Sequence, residues 1–109
     1  MSSLDARTES LLGTLDEMAR FLRANGETKW ADWVAQDAAW IRADDFHGVR
    51  HFLRALGGQG SLSDVLFNPG NGNAATLEEA DRLNAELVAL TTTGYELAKS
   101  LSRDVEAQA

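Results

Sequence analysis

The chain has 109 residues, 44% apolar and 25% charged, the balance of one soluble globular domain long enough to bury a core. Ten Lys and Arg against 17 Asp and Glu leave a net charge of −7, which argues against nucleic acid as a partner and suits either simple solubility or attraction of a basic protein. There is no cysteine, so disulfides and thiolate metal sites are excluded, and that absence fits a reducing compartment.

The start, MSSLDARTES, is acidic and polar and is no signal peptide. No apolar run approaches the ~20 residues of a membrane span, so a cytoplasmic protein is expected, with no membrane partner. The spacing predicts a first helix from Leu4 to Ala24, with Ser2 or Ser3 as cap and Leu11, Leu12, Leu15, Met18 and Leu22 on one side. Asn25-Gly26 supplies its left-handed stop. A second helix runs from Thr28 to Ala43. Asp44-Asp45 ends it and caps a third, Asp45 to Leu56, whose stripe is Phe46, Val49, Phe52, Leu53 and Leu56. Gly57 to Gly60 breaks the pattern. SLSDVLF forms a single helical turn, and Asn68 to Asn73 a turn-rich loop around the only proline. Thr76 and Glu79 make a capping box opening a last helix that ends near Arg103. The expected architecture is all-α: a compact bundle of four helices with a long Gly/Asn-rich loop between the third and fourth. It forms a single domain over residues 1–109, with loose ends at 1–3 and 104–109.

All three tryptophans, Trp30, Trp33 and Trp40, sit on the second helix. Such a cluster suits a ligand cage or a core, and aromatic rings at helical spacing on one face with Val34 and Ile41 read as core. Gly94 lies on the apolar face of the last helix, where glycine costs ~1 kcal/mol relative to alanine. The expected compensation is close approach by the ring of Trp30 or Trp33. Asp37 lies among the same rings, and an unpaired buried carboxylate is costly. The expected partner is the loop of Gly57, Gly58, Gly60 and Asp64, whose backbone N–H groups would depress the Asp37 pKa. A pocket-lining or an exposed Asp37 are the other readings.

His47, Arg50, His51 and Arg54 form a basic ridge on the third helix. It is either paired with carboxylates of a neighbouring helix or solvated, or else one half of a bipolar interaction surface. The two histidines lack a third ligand, so no metal is expected, and no cofactor motif is present. There is no phosphate-binding loop, nucleophile elbow or carboxylate pair, so no enzyme is expected.

Trp30 and Trp33, Asp45 with Phe46 and Gly48, Gly57 to Ser61, and Tyr95 with Ala98 carry a resemblance. Between Glu27 and Leu101, about two thirds of the chain, the sequence resembles a family of small bacterial domains of unknown function with a Trp-x-x-Trp helix and a Gly-Gly-x-Gly-Ser loop. The resemblance implies a stand-alone bacterial domain, places Asp64 in the loop pattern, and implies no activity. The functional expectation is a non-catalytic protein-binding domain. Its concrete form is an immunity protein that neutralises a bacterial toxin, a basic enzyme met through Asp32, Asp44 and Glu86. The alternative is a small-ligand or enzymatic module with a pocket between the Trp helix and the Gly-rich loop.

Overall fold

Gly26 takes a φ of 84°, a conformation that side chains disfavour, and it is there that the chain reverses between its first two helices. The computed structural model describes residues 3–57 and 60–108. Four helices result: α1, Ser3–Ala24; α2, Thr28–Arg42; α3, His47–Ala55; and α4, Leu77–Gln108. Short 3-10 turns cover Leu62–Asp64 and Pro69–Asn71. α1 packs on α2 and α4, and α3 packs on the same two helices, so α1 and α3 lie diagonally, as do α2 and α4. No strand occurs among the described residues. The architecture is the expected four-helix bundle with its long connection.

The ends of the elements follow local chemistry. Asp44 adopts a φ of 61° just past α2, and the Asp45 carboxylate accepts the His47 N–H at 2.9 Å, so α3 starts at His47, two residues after its cap. Thr28 heads α2, which has no side-chain cap. At α4 the Thr76 hydroxyl accepts the Glu79 N–H at 3.0 Å, and Glu79 reaches back to the Ala75 N–H at 3.4 Å, a capping box displaced by one residue. α4 continues past Arg103 to Gln108, where Asp104 pairs with Arg7 of α1.

The interior is filled by Leu11, Leu15, Met18 and Leu22 of α1, Val34 and Ala38 of α2, Phe52 of α3, and Leu83, Leu87, Ala98 and Leu101 of α4. The tryptophans are not its centre. Trp30, Trp33 and Trp40 are each only partly buried, at the edge of the bundle where α2 meets α3. The ring against Gly94 is likewise not an indole. A Cβ there would stand 2.9 Å from Cζ of Phe52, on α3. The reason is topological: α3 is the neighbour of α4, whereas α2 lies across the diagonal.

The long connection is held from outside itself. Asn84 of α4 accepts the Phe67 N–H at 2.8 Å and donates to the Phe67 carbonyl at 2.9 Å, satisfying both backbone groups of one residue as a paired strand would. That clamp drives the fully buried Phe67 ring edge-on against Phe21 of α1, with centroids 5.8 Å apart. The asparagines of the loop bond locally: Asn73 accepts the Asn68 N–H, and Asn71 and Asn73 donate to the Leu66 carbonyl.

Asn84→Ala should remove both bonds and leave partly buried backbone groups short of partners, costing about 2 kcal/mol in urea unfolding. Asn84→Asp, which keeps the acceptor and loses the donor, should fall between. Equal stability of all three proteins would mean that the clamp is not what holds the loop.

Candidate functional site

The most unusual side chain of the molecule is Asp37, a carboxylate with 0% exposure in the middle of α2. What brings it a partner is a glycine. A Cβ on Gly48 would lie 2.5 Å from the Asp37 carbonyl oxygen, 2.8 Å from Cγ1 of Ile41 and 3.1 Å from Cβ of Trp40. Only glycine lets α3 lie this close to α2. One turn further along α3, His51 places Nδ1 2.5 Å from Oδ1 of Asp37. The other carboxylate oxygen, Oδ2, has no hydrogen-bond partner among the described residues.

The imidazole is boxed by indoles. Trp33 stacks on it at 3.9 Å with planes 15° apart, and Trp40 meets it edge-on at 5.2 Å. Trp33 also donates its indole N–H to the His51 carbonyl at 3.2 Å, fixing ring and backbone together. Trp40 contacts His47 at 4.6 Å, and Trp30 leans on Trp33 at 5.4 Å. The tryptophans therefore serve as walls around the Asp37–His51 pair.

Burial pushes the Asp37 carboxyl up to about 8, against a smaller downward pull from Arg54. His51 is lowered, first by burial and then by the charges of Arg54 and His47. Both shifts disfavour charge, and the two groups share one proton across a short contact. This overturns the expected Asp37 pairing. Among its described residues the glycine loop makes no hydrogen bond to Asp37: Gly60 gives its N–H to Asp64 at 2.6 Å, and Ser63 bonds the Leu56 carbonyl. With one bond to an imidazole in place of several backbone N–H groups, desolvation wins, and the pKa moves up instead of down.

His51 also leaves the basic ridge, because its side chain, 20% exposed, is turned to Asp37. His47, Arg50 and Arg54 remain exposed, Arg50 lying 5.2 Å over the Phe46 ring. Neither arginine has an ion-pair partner among the described residues. The three expected acidic contacts sit on separate elements. Asp32 on α2 is paired with Arg23 of α1 at 2.8 Å, Asp44 lies in the α2–α3 turn, and Glu86 is exposed on α4. Gly57 and Gly60 are exposed, and Gly58 lies outside the described residues. No group of three or more His, Cys, Asp or Glu is placed to hold a metal among the described residues. Of five surface clefts on those residues, none is lined by Asp37 or His51.

Residues 23–76 match the family model described as a domain of unknown function (DUF6966). The matched segment is just under half of the chain and contains α2, α3 and the long connection, and with them the whole Asp37–His51 site. No curated protein and no solved structure matches the chain. No helix among the described residues is long and apolar enough to cross a membrane.

The pair sets the pH response. Asp37, with its raised pKa, contributes stability that is present below the unfolded value of ~3.9 and lost as pH rises through about 8. His51, with its lowered pKa, contributes stability present above its unfolded ~6.5 and lost as pH falls. Below ~6.5 the two slopes oppose each other for as long as the folded His51 stays neutral. From ~6.5 to about 8 only the folded pair keeps its proton, so about 2 kcal/mol of stability should disappear. Urea unfolding at steps across that range tests this, and Asp37→Asn should flatten the curve. A wild-type stability that rises across the same range would contradict a neutral buried pair.

The helix approach is separately testable. Gly48→Ala gains helix propensity but drives a methyl into backbone, so its melting temperature should fall, with a net cost of ~1–3 kcal/mol. Gly94→Ala meets only the tip of the Phe52 ring and should cost less. The reverse order would place the tight crossing at α4.

Proposed function

We propose that the chain is a non-catalytic protein-binding domain, and that its contact face is the aromatic and basic strip of α2 and α3. The observation that carries this reading is a mismatch. The three indoles, the largest apolar side chains of the molecule, are each only partly buried, and α3, which meets two of them through His47 and His51, also carries Arg50 and Arg54, exposed and without an ion pair among the described residues. Tryptophan and arginine are the side chains that dominate protein–protein contact energy once their remaining surface is covered. The walls of this strip are already rigid, because Trp33 and Trp40 are packed on His51. Trp33 and Trp40 therefore have little side-chain entropy left to lose on binding. The family match covers this face and leaves out nearly all of α1 and all of α4.

Within that class the favoured role is inhibition by occlusion, an immunity-type protein acting on a bacterial toxin. Small size, an all-helical scaffold and a net charge of −7 support that role. The local chemistry refines it. The strip itself is cationic, so the partner patch it fits carries carboxylates or main-chain carbonyls, while the whole-chain charge acts at longer range. The alternative of a ligand pocket between the Trp helix and the Gly-rich loop draws little support. His51 occupies Asp37, and five clefts of about 200 to 570 Å³ on the described residues are lined by none of the tryptophans and by neither Gly57 nor Gly60.

A photo-reactive residue in place of Gln36, exposed at the edge of the strip, should cross-link a protein in lysate of the source organism. The same probe at Glu86, which lies on α4 and which this choice of face takes out of the expected contact, should not. Charge reversal at Arg50 and Arg54 together should abolish the Gln36 product, and raised salt should weaken it. Equal capture from Gln36 and Glu86, or indifference to the reversals, would remove the strip from the reading.

A further inference from the structure

We propose that α4 carries a second, independent contact surface, on which a second copy of this chain docks with its own α4 antiparallel to the first.

Four large apolar side chains stand exposed: Leu66 at 56%, Leu77 at 68%, Val88 at 62% and Tyr95 at 46%. Three of them belong to α4. At about 100° per residue, Leu77, Val88 and Tyr95 fall within about 20° of one another, on the flank of the helix and not on the face that packs into the bundle. Leu66 of the long connection joins them. Leu66 and Val88 line one cleft of about 280 Å³, and Tyr95 lines a neighbouring one of about 280 Å³. Ser63 and Thr91 line both, so the two make one groove along the helix.

The pattern along this flank is self-complementary. Val88 and Tyr95 lie equally far on either side of the midpoint between Thr91 and Thr92. Asp81 and Arg103 are each eleven residues from Thr92, one before it and one after it. Two copies related by a two-fold axis near Thr91 and Thr92 would lay Tyr95 of each against Val88 and Leu66 of the other. The same axis would lay Asp81 of each against Arg103 of the other, with Lys99 on the same side of the helix as Asp81. Neither Asp81 nor Arg103 has an ion-pair partner within the chain among the described residues. The charge complementarity of Asp81 and Arg103 about that axis is what selects a second copy as the occupant. A second copy supplies both halves of the match.

The contact is small, at the weak end of specific interfaces, and a dissociation constant on the order of micromolar or higher is expected. Sedimentation equilibrium of the full chain over a wide concentration range reads it directly. The wild type should show a monomer–dimer equilibrium. Arg103→Asp and Asp81→Arg should each weaken it by on the order of tenfold, because two pairs per dimer are lost and like charges meet. The double swap, Asp81→Arg with Arg103→Asp, should restore most of the affinity. Tyr95→Lys should leave a folded monomer, with circular dichroism confirming the fold. A wild type monomeric at all concentrations would overturn the proposal. So would a dimer that survives Tyr95→Lys, or single charge changes that the double swap does not repair.

Discussion

A carboxylate with no solvent exposure is the constraint around which the α2–α3 half of the molecule is organised. Charged, Asp37 would face a desolvation penalty that a single imidazole cannot offset. Keeping one proton on the Asp37–His51 pair avoids that state, and it requires His51 within hydrogen-bond reach. That reach in turn requires two helix backbones to touch at Gly48. The indoles follow from the same requirement. Trp33 and Trp40 fill the space around the imidazole and keep water from Asp37. One buried acid thus accounts for a glycine, a histidine and two tryptophans on two helices.

The two halves of the bundle are stabilised in different ways. α1 and α4 meet through ordinary leucine packing, with ion pairs at the surface such as Arg7–Asp104. α2 and α3 meet through polar and aromatic contacts of defined geometry. Polar networks of this kind tolerate less displacement than aliphatic packing, since each bond has a preferred length and direction. On the edge that carries the proposed binding strip, Trp33, Trp40 and His51 are therefore presented in one arrangement.

Most of the helical frame was legible in the sequence, because capping chemistry and apolar spacing are local signals. Asn25-Gly26, the Asp45 cap and the Thr76–Glu79 box each sit within two residues of where the chain turns. What was not legible depends on which helices are neighbours. Gly94 announced a close ring, and the ring is Phe52 and not Trp30 or Trp33, since the diagonal of the bundle is invisible to periodicity. Asp37 announced a partner, and His51 was the polar group on α3 one turn beyond a glycine, a signal available from the spacing of Gly48 and His51. Asn84 gave no signal at all. An asparagine near the start of a helix looks like any solvated residue until the loop it clamps is placed beside it.

That clamp has a consequence for the order of assembly. The connection between α3 and α4 has no partner of its own length. Phe67, which with Leu62 is fully buried, is positioned by a residue seventeen places later in the chain. The loop therefore cannot acquire its native shape before α4 has formed and docked, even though the loop is made first. During synthesis Phe67 stays exposed until Asn84 has left the ribosome. A fragment spanning only residues 23–76 would hold the Asp37–His51 pair but lack both the clamp and the α1 wall on which Phe67 rests. In the finished protein the Phe67 amide is a built-in gauge: its exchange with solvent reports how often the contact between the loop and α4 opens.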